Sequence, residues 1–132
     1  MEKFYIEQSD KTPRILLDAE NMHFEFSGTS RPENVRDVYY PVIEYLGNFF
    51  KGDFLKKKPE VKVRFKFSFE YFNSSSAKFI YDILALIKKA KDDNKNVEID
   101  WHFLETDEDM KEVGEEFSDI IDMPFNYIMI KE

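Results

Sequence analysis

The clearest signal in the chain is an alternation of apolar and polar positions. Val61, Val63, Phe65, Phe67, Phe69 and Tyr71 alternate with Lys62, Arg64, Lys66, Ser68 and Glu70. A period of two means one face buried and one face wet, so this segment predicts a half-buried β-strand. Val97, Ile99, Trp101 and Phe103 alternate with Glu98, Asp100 and His102 in the same way. Phe125, Tyr127 and Met129 repeat the pattern near the C-terminus, blurred by Ile128 and Ile130. Three short apolar runs open the chain, at residues 4–6, 15–17 and 22–26, and predict two or three short strands divided by turn-rich pieces.

Between the strands the period changes. Val35, Val38, Tyr39, Val42, Leu46 and Phe49 recur at helical spacing. Ser30 and Glu33 match the S-x-x-E pattern of a capping box, with Pro32 in the first turn. Pro41 falls inside the pattern and predicts a kink or a split, because it removes a backbone bond. A second helix is predicted over about residues 75–91, with Phe79, Ile80, Ile83, Leu84, Ile87 and Ala90 inward. A third is predicted from Thr106, which would cap the acidic turn Asp107, Glu108 and Asp109, with Met110, Val113 and Phe117 on its inner side.

Strand–helix–strand units favour parallel pairing. Strands of a doubly wound sheet would be apolar on both faces, whereas these alternate. The expectation is a two-layer α/β domain over residues 1–132, with helices mainly on one face. The open face should carry Lys62, Arg64 and Lys66 beside Glu98 and Asp100, opposite charges that suit adjacent strands.

Composition narrows the function classes. Of 132 residues, 42% are apolar and 14 are Phe, sufficient for one compact core. Acidic residues outnumber basic ones by 27 to 19, for a net charge of -8, which disfavours nucleic acid and anionic membranes as partners. The chain has no Cys, which removes thiolate catalysis and cysteine metal sites and fits a reducing cytoplasm. The first residues lack the apolar run of a signal peptide, and no stretch approaches the roughly 20 apolar residues of a membrane helix.

Candidate chemistry concentrates where the strongest strand meets a strong helix, at Asn73, Ser74, Ser75, Ser76 and Lys78. Sites in open α/β sheets gather at the carboxyl ends of strands, and a helix start offers free N–H groups and a positive dipole end. Capping by Asn73 or one of the serines explains one polar residue there. A functional hydroxyl is the other reading.

This segment resembles a known signature. Asn73, Ser74, Ser75, Ser76 and Lys78 are similar to the asparagine–hydroxyl–serine–serine–x–lysine motif of SiaC-type regulatory phosphoproteins. Pro32, Glu33 and Asn34 resemble a Pro-Glu-Asn element of the same family, and Thr12-Pro13 and Pro124-Phe125 sit where it has Thr-Pro and Pro-Phe. The resemblance covers nearly the whole chain. It implies a STAS-like fold with a mixed sheet, and a regulator without catalytic residues, metal or cofactor. It further implies phosphorylation by a GHKL-type Ser/Thr kinase, reversal by a metal-dependent phosphatase, and activation of a GGDEF diguanylate cyclase by the unphosphorylated form. The implied acceptor is Ser74, with Ser75 and Ser76 as alternatives, Asn73 and Lys78 as its surroundings, and Pro32, Glu33, Asn34 and Ser74 as the partner surface. The best-known members carry Thr at the acceptor position; Ser keeps the hydroxyl and loses a methyl.

Other chemistries have thinner support. Ser75-Ser76-Ala77-Lys78 matches S-x-x-K, but the companion Ser-Asp-Asn and Lys-Thr-Gly motifs are absent. His23 and His102 fall on polar strand positions, where a surface histidine is the default. The sequence at residues 92–96 lacks the glycine and distant glutamate of a calcium loop. A non-catalytic module that holds a small anion or nucleotide at the Ser74 helix start is the remaining alternative.

Overall fold

The computed structural model describes residues 1–132. Six strands, β1 (Phe4–Ile6), β2 (Arg14–Asp18), β3 (His23–Ser30), β4 (Val63–Phe72), β5 (Val97–Leu104) and β6 (Asn126–Ile130), form one sheet in chain order. β1, β2 and β3 pair antiparallel, and β3 to β6 pair parallel. Helices α1 (Val35–Lys51), α2 (Ser74–Asp92) and α3 (Glu108–Ile121) fill the three parallel crossovers. Each crossover steps to the next strand in the same direction. Crossovers of one hand must then lay all three helices on one face, which is the two-layer arrangement the alternation predicts. No helix is long and apolar enough to cross a membrane.

The core lies between the helices and one sheet face. It is dominated by an aromatic row across the parallel strands. Phe26 stacks on Phe67 at 4.7 Å, Phe67 on Trp101 at 5.9 Å, and Trp101 on Phe125 at 5.9 Å. Such pairs contribute about 0.5–1.5 kcal/mol each beyond their buried area. The Trp101 Nε1–H, which would be costly to bury alone, donates to the Met110 carbonyl of α3 at 2.9 Å.

The other sheet face is open and carries the expected charge ladder. Lys62 and Arg64 each lie 2.9 Å from Glu98, and Arg64 lies 3.2 Å from Asp100. Asp100 is only 9% exposed, covered by its neighbours on the sheet and bonded by Asn126 Nδ2 at 2.9 Å.

Two helix caps depart from the sequence expectation. α1 begins after Asn34, so Pro32 precedes the helix and the Ser30–Glu33 capping box does not form; Ser30 is the last, fully buried residue of β3. The cap of α3 is Asp107, whose Oδ1 accepts from Met110 N at 3.1 Å, while Thr106 donates to Glu132 instead. Pro41 does not split α1. It sits on the exposed side, as does Asp37, whose carbonyl Pro41 has no N–H to bond.

Candidate functional site

Parallel pairing brings the carboxyl ends of β3 and β4 together, and with them the starts of α1 and α2. Ser30 pairs with Phe72, and Asn73 N–H donates to the Ser30 carbonyl at 3.0 Å. The two sequence motifs, separated by some forty residues of chain, thus emerge from adjacent strand ends.

Asn73 is the N-cap of α2: its side chain accepts from Ser76 N at 2.9 Å. Ser74 is therefore the first helical residue. The Ser74 and Ser75 side chains are exposed, and their N–H groups fall among those a helix start leaves without intrahelical partners. The first turn of α2 holds no acidic residue. Ser76 is different. It is fully buried and its Oγ accepts from Ser30 Oγ at 2.8 Å, whereas the Ser75 side chain is open to solvent. Lys78 is exposed, one turn along from Ser74. Its ammonium lies 3.9 Å from Asp82 and 4.9 Å from the Phe79 ring centroid.

A β-bulge shapes the approach to this turn. The β3–β4 register shifts between Gly28 and Thr29, which pair with Phe69 and Tyr71, so that Glu70 is the extra residue. The parity of β4 inverts there. Phe72 turns toward the core, 5.4 Å from Phe69 and 6.2 Å from Phe117, while Tyr71 is left 52% exposed. Alternation had placed Tyr71 on the buried face. Tyr40 of α1, 55% exposed, packs edge-on against Phe79 of α2 at 5.6 Å. Neither tyrosine was singled out by its spacing; a bulge leaves no mark in the sequence pattern.

On the α1 side, Pro32 is buried and Glu33 and Asn34 are exposed. An open groove of about 610 Å³ lies between residues 9–12 and 32–34. Arg31 N–H bonds the Lys11 carbonyl at 2.8 Å and Lys11 pairs with Glu33 at 3.5 Å, so the Thr12-Pro13 loop and the Pro32–Glu33–Asn34 segment form one surface. The groove is not lined by the start of α2. His23 and His102 both stand on the open sheet face. His23 lies 3.4 Å from Glu25.

Comparison with known proteins settles the family. The SiaC family regulatory phosphoprotein model matches residues 6–130. The chain belongs to the SiaC family. It is 29% identical over 125 residues to an uncharacterised protein of Pseudomonas aeruginosa (strain UCBPP-PA14), covering 95% of this chain and 94% of that one. Among solved structures, apo-SiaC from Pseudomonas aeruginosa matches with a TM-score of 0.79 at 26% identity, covering 98% of each chain. SiaC in the crystal structure of the diguanylate cyclase SiaD in complex with its activator SiaC, also from Pseudomonas aeruginosa, matches with a TM-score of 0.81 at 26% identity, covering 98% of this chain and 99% of that one. The fold and family expected from the four motifs are those found.

Proposed function

We propose that this protein is a non-enzymatic, cytoplasmic, phosphorylation-switched activator of a GGDEF diguanylate cyclase. Unphosphorylated, it binds the cyclase through the α2 start, the exposed Tyr71 beside it and the Pro32–Glu33–Asn34 segment. A GHKL-type kinase phosphorylates Ser74, and a metal-dependent phosphatase restores the active form. The observation that carries this reading is the position of Ser74: an exposed hydroxyl on the first residue of α2, with its N–H free and Asn73 capping the turn beside it. Membership of a regulatory phosphoprotein family and the likeness to a cyclase-bound SiaC support it.

The physics of the site favours a switch without unfolding. A phosphate brings about -1.5 to -2 charge and strong acceptor oxygens. At Ser74 it meets the positive end of the α2 dipole and a first turn free of acidic side chains. The isolated domain therefore accommodates it. A partner packed on the same turn must desolvate that charge, which weakens the complex.

The test is to incubate the protein with its kinase and ATP, map the phosphate by peptide mass spectrometry, and measure cyclase affinity before and after. One phosphate on Ser74 and a large loss of affinity are expected. A phosphate mapped elsewhere, or unaltered affinity, overturns the reading.

A further inference from the structure

Three hydroxyls sit in an otherwise apolar core. Ser30, Tyr39 and Ser76 are each 0% exposed. Ser30 Oγ lies 2.6 Å from Tyr39 OH and donates to Ser76 Oγ at 2.8 Å. With the Ser30 hydrogen committed to Ser76, Tyr39 must be the donor to Ser30. The chain of bonds runs in one direction, from α1 through the end of β3 into the third residue of α2. Ser76 N–H is at the same time held by the Asn73 cap. The chain thus ends inside the turn that presents Ser74.

Stability alone does not call for this arrangement. Apolar groups of the same shape can replace a buried hydrogen-bonded pair at little net cost, whereas removing one partner strands the other. A satisfied buried network selects one geometry instead. Here the geometry selected is the placing of α1 against the start of α2. Burial pushes the Tyr39 phenol up to about 12, so the chain keeps its hydrogens through the physiological range.

We propose that Tyr39 is a positioning residue: through Ser30 and Ser76 it locks the Ser74 turn to α1, so that the kinase and the cyclase meet the two helix starts as one surface. Tyr39 touches neither partner. The inference rests on the switch function proposed above.

Tyr39→Phe tests it, because it removes the hydroxyl and leaves the ring stacked on Phe79, at 5.7 Å and 4° in the wild type. Ser30→Ala is the second variant, should the first fold poorly. Ile87→Val is the control, a buried α2 position outside the hydroxyl chain. Three readouts are compared: amide hydrogen exchange at Asn73, Ser76 and Ala77, kinase kcat/KM, and cyclase affinity. Tyr39→Phe should lose about tenfold in exchange protection at the hydrogen-bonded amides of Asn73, Ser76 and Ala77, and a similar factor in kinase kcat/KM and cyclase affinity. Ile87→Val should change none of the three by more than about twofold. Exchange at Asn73, Ser76 and Ala77 in Tyr39→Phe no faster than in Ile87→Val would overturn the positioning role, as would unchanged kinase and cyclase readouts. Failure of wild-type protein to be phosphorylated at Ser74, or to lose cyclase affinity when it is, would instead strike the function on which the inference rests.

Discussion

Gly114 of α3 lies so close to the Trp101 indole that a β-carbon there would stand 2.5 Å from Cδ1 and Nε1. The contact lets the helix backbone approach β5 and brings the Met110 carbonyl onto the indole N–H. Gly114→Ala must push the helix away or turn the indole, and overpacking of this kind costs about 1–3 kcal/mol. The melting temperature should fall by several degrees. The emission of Trp101, the only tryptophan, should shift red. Unchanged melting and emission would mean that α3 has slack the packing does not show.

The open sheet face should make the fold acid-sensitive in two stages. Burial and Lys66 hold the His102 imidazole below its ordinary value of 6.5. The folded state thus binds its proton more weakly than the unfolded state, and stability declines as pH falls from 6.5 toward the folded value. The carboxylates act lower. The hydrogen bond from Lys62 draws Glu98 below 4.5. Burial alone would raise Glu25, but Arg14 and Lys66 outweigh it and hold it below 4.5 as well. Their stabilisation is complete above the unfolded value and is lost as pH falls through the depressed folded values. A melting series from pH 8 to pH 3 should be flat above about pH 7, decline gently, then steeply. His102→Asn should remove the gentle stage. A melting temperature that rises on acidification from pH 7 to pH 5 would contradict the assignment.

The same open face explains why so much of the fold was legible. A sheet covered on one side writes its orientation into the sequence with a period of two; β4 follows it residue by residue up to Phe69, and β5 up to Trp101 except at Asp100, which its neighbours on the open face cover. β6 was blurred for a physical reason: as an edge strand it leaves Ile128 and Met129 exposed on opposite faces. The capping box failed because Ser-x-x-Glu describes equally a helix cap and a serine at a buried strand end. Only the third dimension places Ser30 beneath Tyr39 and Ser76. The motifs at Ser30–Asn34 and Asn73–Lys78 do emerge from adjacent strand ends. The division into exposed Ser74 and Ser75 and buried Ser76 depends on Asn73, rather than a serine, taking the cap.

Tyr71 should be an anchor of the partner surface. The bulge at Glu70 turns its ring outward at the approach to Ser74, and large aromatic side chains dominate interface energetics. Tyr71→Ser removes the ring from an already exposed position, so the melting temperature should hold. Cyclase affinity should fall at least about tenfold, equivalent to 1.4 kcal/mol. Titration calorimetry with the purified cyclase checks it. Equal affinity for both proteins would move the interface away from the β4–α2 junction.

Substitutions at Ser74 separate charge from fold. A negative charge at an exposed helix start stabilises by roughly 0.3–1 kcal/mol. Ser74→Asp and Ser74→Glu should therefore melt at or slightly above the wild-type temperature. At an interface the same charge is desolvated, and a stranded or like-charged contact costs several kcal/mol, each 1.4 kcal/mol being about tenfold in affinity. Both acidic variants should bind the cyclase weakly. Ser74→Ala should bind as the wild type does and no longer respond to the kinase, since Asn73 rather than Ser74 caps the helix. Ser75→Ala should remain fully responsive, which distinguishes the two exposed hydroxyls. Melting temperature and cyclase affinity for the four variants, with and without kinase treatment, decide the matter. Binding that falls in step with melting temperature would show that the charge acts by loosening α2. Binding that falls while melting holds would place the switch in the interface.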